Sequence, residues 1–165
     1  MGIRTARSVV EITLETGSGN SLTVGPESGN WGISGLEPNF AESIDIKSRG
    51  RYVESITGDD TFPSFSIAMF HDGSISSATI GKIYDLIMGK GIYSADASTN
   101  PSGCRSPWHI KVTAVITGCD GVTDTFFMPN VRPSMDYATA KEGNTFSMTG
   151  GCMPGFGGTD PVQIS

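Results

Sequence analysis

The chain is 165 residues long, enough for one domain with its own core and too short for two comfortable ones. Charged residues make up 17%, against roughly 25% in an average soluble protein, while Gly (22) and Pro (9) are plentiful, a mixture that suits strands joined by turns rather than long helices. The net charge of −6 argues against a protein that grips nucleic acid by its phosphates, which takes clustered Lys and Arg.

The cysteines Cys104, Cys119 and Cys152 are odd in number and show no CxxC spacing. They suggest no disulfide framework and fit a protein folded in a reducing compartment. The N-terminal MGIRTARSVV has no apolar stretch of signal-peptide length, and no run reaches the ~18 apolar residues that span a membrane. A membrane is therefore not an expected partner.

In chain order, Ser8 to Glu15 alternates Val10, Ile12 and Leu14 with Glu11, Thr13 and Glu15, which predicts a half-buried strand. Gly17-Ser18-Gly19-Asn20 turns the chain, and Leu22 and Val24 return it as a hairpin partner. Asn30 to Leu36 reads as a short third strand. Periodicity then weakens, with brief alternation at Ile44 and Ile46 and a short run at Tyr52 to Ile56. Residues 39–61 are expected to be a long inter-strand loop, of a length that is uncommon without a job.

Phe62 to Phe70 predicts a strand started by Pro63, with Phe65, Ile67 and Met69 on one face. A single helix is expected over about 76–89, with Ile80, Ile83, Tyr84 and Ile87 as its apolar stripe, Ser76 or Ser77 at its start, and Gly89 and Gly91 at its end. Gly81 inside it suggests close packing against a sheet. Residues 95–107 read as a loop and Trp108 to Thr117 as a strand. After a Cys119-Asp120-Gly121 turn, Thr123 to Met128 pairs back and Pro129 ends it. Arg132 to Tyr137 is extended, Thr145 to Thr149 is a last strand, and the tail from Gly150 is too rich in Gly and Pro for regular structure. No helices separate successive strands, which excludes a parallel α/β sheet. The expected fold is mainly β, a two-sheet β-sandwich with one flanking helix, formed by residues 1–150 and followed by a Gly/Pro-rich C-terminal arm over 151–165.

Chemistry-bearing motifs are sparse. His71 and His109 show no metal-ligand spacing, and no phosphate loop or nucleophile elbow occurs. Asp59-Asp60 reads as a solvated turn. No catalytic residue, metal or cofactor is expected. Lys47, Arg49 and Arg51 stand near Asp45, Glu54, Asp59 and Asp60. They read equally as a solvated loop or as one half of a charge-complementary contact between copies of the chain.

Taken together, the hairpin SVVEITLETGSGNSLTVG, the stretch WGISGLEPNFAESIDIKSRGRYVESITGDD, the strand TFPSFSIAMF, the helix ATIGKIYDLIMGKG, the hairpin WHIKVTAVITG with TDTFFMPNVRPSMDY, and the final EGNTFSMTGGCM resemble the tail tube proteins, or major tail proteins, of long-tailed bacteriophages. The resemblance implies a structural virion protein, made in the host cytoplasm, whose hexameric rings stack into a hollow tube for DNA ejection. Its partners would be copies of itself, other tail proteins at the tube ends, and DNA that passes without specific binding. The long loop would reach neighbouring rings, making Phe40, Asp45, Lys47, Arg49, Arg51, Asp59 and Asp60 candidate inter-subunit contacts, and the tail after Gly150 another such arm. Glu11 and Glu15 would be candidates to face an acidic lumen. The alternatives are a tail terminator or injection-system tube component, or a ligand-binding β-sandwich with Trp31, Trp108 and Tyr93 as an aromatic platform.

Overall fold

The computed structural model describes residues 9–24, 30–36, 41–71, 77–99, 108–118, 120–140, 143–154 and 159–165. Among these residues, ten strands and one α-helix follow in the order β1 (Val9–Glu15), β2 (Ser21–Val24), β3 (Asn30–Ser34), β4 (Ala41–Ser48), β5 (Arg51–Asp60), β6 (Ser64–His71), α1 (Ser77–Met88), β7 (Ile110–Thr117), β8 (Thr123–Ala140), β9 (Gly143–Met153) and β10 (Gln163–Ile164). Eight strands form one antiparallel sheet in the order β2-β1-β7-β8-β9-β6-β3, with β10 added to β8, while β4 and β5 form a separate two-stranded sheet.

The sandwich is made by folding this one sheet over. The strand β8 is 18 residues long. Its first part pairs with β7, from Thr123↔Thr117 to Val131↔Ile110, and its second part pairs with β9, from Asn130↔Met153 to Ala140↔Gly143. The change of partner falls between Pro129 and Pro133, at a bulge in β8 where Pro129 and Asn130 together stand opposite the single β7 residue Lys111, between the pairs Val112↔Met128 and Ile110↔Val131. Bulges bend the strand that carries them, and proline there removes a ladder donor where pairing is being handed over. One layer is thus β2-β1-β7 with the first part of β8 and β10. The other is the second part of β8 with β9, β6 and β3.

Between the layers lies one core. Ile12 and Leu14 (β1), Val24 (β2), Phe65 and Ile67 (β6), Ile110, Val112 and Ala114 (β7), Met128 and Val131 (β8), and Phe146 and Met148 (β9) are all buried. The alternation expected of β1, β6 and β7 is what places them there, since residues two apart share a face. Trp31 on β3 meets Phe126 on β8 edge-to-face, ring centroids 5.3 Å apart, tying the two layers at their margin.

The helix closes one side with Ile83, Leu86 and Ile87. Its buried stripe is rotated from the expected one: Tyr84 is exposed and Leu86 is fully buried. Gly81 is exposed and a Cβ there would meet nothing, so close packing does not explain it. At the C-terminus the Gly89 amide donates to the Leu86 carbonyl (3.3 Å) and the Lys90 amide to that of Asp85 (2.8 Å), with Gly89 at φ +60°. This is the Schellman closure that glycine favours.

Three further expectations are corrected. Residues 41–60 are a β-hairpin, not a loop. Pro129 does not end its strand, because β8 runs through it. The tail is partly regular: β9 continues through Gly150 and Gly151 to Met153, and β10 pairs Gln163 with Phe127 and Ile164 with Phe126. Gly150 is needed within the sheet, since a Cβ there would lie 2.4 Å from a Val131 methyl carbon.

Candidate interaction surfaces

The hairpin β4–β5 turns through Arg49 and Gly50, both at positive φ (52° and 78°), with Ser48 paired to Arg51. Two central residues at positive φ make a type I′ turn, whose twist matches that of paired strands. Ile44 and Ile46 sit two apart on β4 and are 44% and 41% exposed; Tyr52 on β5 is 63% exposed. Neither strand pairs with the main sheet. The hairpin is thus an arm that leaves large apolar side chains in solvent, which natural proteins ordinarily avoid unless a partner covers them.

The candidate contact residues distribute along this arm. Lys47, Arg49 and Arg51 cluster at its tip and are exposed, with Asp45 and Glu54 exposed further back. Asp59 and Asp60 lie on β5 near its base, so they belong to a strand and not to a turn. Phe40 lies outside the described residues, as do Cys104, Cys119 and the glycines at 155, 157 and 158. Sequence reasoning located the charged set but missed Ile44, Ile46 and Tyr52 as exposed apolar groups; their weak periodicity in a polar setting was the available signal.

Glu11 and Glu15 project from β1 on the face opposite Ile12 and Leu14. Glu15 is ion-paired with Lys111 of β7 at 2.8 Å, both about one-third exposed. Only Glu11 of the two presents an acid without that local compensation, and the pair adds about 0–1 kcal/mol at such exposure. The remaining outward residues here are mostly Thr: Thr13, Thr23, Thr113, Thr117 and Thr125 lie in register with one another or along the same face.

The two ends of the main sheet, β2 and β3, carry the sequences SLTV and NWGIS, with neither charge nor proline. Edge strands are usually blunted by such residues, so among the described residues these are uncapped pairing edges. The aromatic platform of a ligand-binding sandwich does not form from the expected residues. Tyr93 is buried, Trp31 packs on Phe126, and the Trp108 Nε1–H donates to the Leu86 carbonyl at 2.9 Å while its ring covers Gly89.

Among the described residues no group of three or more His, Cys, Asp or Glu side chains could hold a metal ion. Cys152 is buried, and burial pushes its thiol up to about 11, against a weaker lowering by a hydrogen bond from the Phe65 backbone. A shallow groove of about 270 Å³ on the outer face of β6, β8 and β9 is lined by Ser64, Arg132, Ser134, Thr149 and backbone at Gly150 and Gly151. No helix among the described residues is long and apolar enough to cross a membrane.

A loop after α1, the one-turn 3-10 helix Gly91–Tyr93 followed by residues 94–99, is laced to the body by polar contacts. The Asp96 carboxylate accepts from Thr16 Oγ1 (2.7 Å) and from Asn20 Nδ2 (2.9 Å to each oxygen). The Gly17 amide donates to the Ala97 carbonyl (2.8 Å), and the Ala97 amide to Ser18 Oγ (2.8 Å). This clasp therefore grips the β1–β2 turn. On its other side the Thr99 amide donates to the His109 carbonyl (3.1 Å) and the His109 amide to Ser98 Oγ (2.8 Å).

No protein-family model matches the chain, and no curated protein sequence matches it.

Proposed function

We infer that this chain is a structural subunit that associates with copies of itself, as a ring-forming component of a bacteriophage tail tube. The observation that carries the self-association is the β4–β5 arm, which stands outside the main sheet and exposes Ile44, Ile46 and Tyr52 beside a basic tip. A neighbouring copy supplies what the arm needs: an acidic surface, given the net charge of −6, and cover for the apolar residues. The uncapped β2 and β3 edges support lateral, head-to-tail association, which closes into a ring when the rotation per subunit allows. The narrower tail-tube assignment rests on the ordered resemblance in sequence. In that role the acidic chain would repel phosphate and let DNA slide.

Negative-stain microscopy of the concentrated protein tests this reading. Rings or tubes are the expected result. The triple charge reversal Lys47→Glu, Arg49→Glu, Arg51→Glu is expected to weaken stacking at least tenfold in the concentration required, with an unchanged circular dichroism spectrum. A chain that stays monomeric at the highest attainable concentration overturns the proposal.

A further inference from the structure

The protonation pattern around His109 follows from its neighbours. Asn130 Nδ2 lies 3.1 Å from the Pro154 carbonyl, which can only accept, so the amide orientation is fixed with Oδ1 pointing the other way. Oδ1 accepts from Thr99 Oγ1 (3.3 Å) and stands 2.7 Å from His109 Nδ1. Nδ1 must therefore carry the proton. Nε2 is then the bare nitrogen, and it is buried with no hydrogen-bond partner among the described residues, in a side chain 5% exposed.

We propose that His109 makes the loop of residues 93–99 an acid-opened clasp on the β1–β2 turn. A second proton has only Nε2 to go to. There it creates a buried N–H with no acceptor, and a charge with no counter-ion, among the described residues, both costly away from water. The charged group acting on it is Arg132 of β8, a cation, and burial and Arg132 both hold the imidazole below its ordinary value of 6.5, outweighing the Asn130 hydrogen bond. Asn130 against the ring, Ser98 and Thr99 of the clasp against the His109 backbone, and the Pro154 carbonyl behind Asn130 carry no charge. Asp96 is committed to Thr16 and Asn20, and Lys111 to Glu15.

Water can reach Nε2 only if something lifts. Apart from the bulge beside Ile110, the adjoining strands β7 and β8 are held by continuous backbone pairing, whereas the clasp is held by a handful of polar contacts, so the clasp is the element that yields. The sign is set by linkage. The open state binds the proton more readily, so the clasp is fully closed above about 6.5 and loosens as pH falls toward the depressed folded value. Because the clasp holds Thr16, Gly17, Ser18 and Asn20, opening it frees the turn that positions the edge strand β2.

The test is hydrogen–deuterium exchange read by mass spectrometry on the intact chain, in whatever assembly state it adopts. Protection of the Gly17, Ala97 and Thr99 amides is expected to fall by up to about tenfold per pH unit below about 6.5, as one-proton linkage requires. His109→Gln, neutral at every pH, is expected to flatten that dependence. Asn130→Asp puts a carboxylate against Nδ1 and is expected to reverse it, tightening the clasp in acid. Exchange at the imidazole C2 position reports the His109 titration directly. An His109 that titrates at or above 6.5, or a pH dependence that persists unchanged in His109→Gln, overturns the proposal. Neither result bears on whether copies associate.

Discussion

Two glycines, one inside α1 and one just past its C-terminal end, respond to the same substitution with opposite signs. Gly81 is exposed on the helix, and an added methyl meets nothing. Gly81→Ala is expected to stabilise the chain by about 0.5–1 kcal/mol, because it narrows the unfolded ensemble and suits the helix. Gly89 sits at φ +60°, and an added Cβ would lie 2.9–3.0 Å from the Trp108 ring. Gly89→Ala is expected to cost about 1–3 kcal/mol through strain and overpacking. Urea denaturation midpoints of the two variants check both signs. Cys152 makes a third case at this scale. Fully buried and with its thiol pushed up to about 11, it has little thiolate to offer at pH 8. In a chain carrying Cys104→Ser and Cys119→Ser, a disulfide reagent is expected to leave Cys152 unmodified until denaturant is added. Fast labelling of the native chain would contradict the buried placement.

Among the elements, the β4–β5 arm has a stability of its own, because it pairs with no strand of the main sheet. Its type I′ turn needs positive φ at Gly50, where any β-branched residue is strained. Gly50→Val is expected to weaken strand pairing in the arm by about 1 kcal/mol or more. Amide exchange should rise across residues 41–60, while the global unfolding midpoint stays within error. A matching drop in the midpoint would mean that the arm is part of the cooperative core. The arm also marks the limit of what the sequence discloses. Strands β1, β6 and β7 were legible because each buries one face, which forces apolar residues to alternate with polar ones. Neither Ile44 nor Ile46 is buried, so no core imposed a pattern on the arm and it read as a loop. The Pro129 boundary failed for a related reason: proline terminates a ladder only where its N–H is needed, and Pro129 sits where β8 passes from β7 to β9. Tyr84 and Leu86 were exchanged in the reading because a helix only 12 residues long permits more than one apolar stripe.

At the scale of the whole molecule, the fold depends on β8 serving two layers, and this exposes an edge that the C-terminus covers. Where β8 pairs with β7, its other side has no β9 to pair with, and β10 takes that place. The Thr125 amide donates to the Ser165 carbonyl (2.8 Å) and the Ser165 amide to that of Thr125 (3.0 Å). Val162, 8% exposed, anchors the segment in the core. The far end of the region read as an association arm is thus turned back on its own domain and blunts an edge. Among the described residues, the edges left open are β2 and β3, at opposite ends of the sheet, an arrangement suited to head-to-tail association and not to random stacking. Deleting residues 161–165 distinguishes a protective edge cover from a contact to a neighbour. As a cover, its loss forfeits the burial of Val162, about 1.5–3 kcal/mol, and uncovers the backbone of β8. The truncated chain is expected to denature at lower urea and to form irregular aggregates rich in β structure. If the truncation leaves the denaturation midpoint unchanged and abolishes ordered assembly alone, the segment serves the neighbour, and the open edges at β2 and β3 are not sufficient for association.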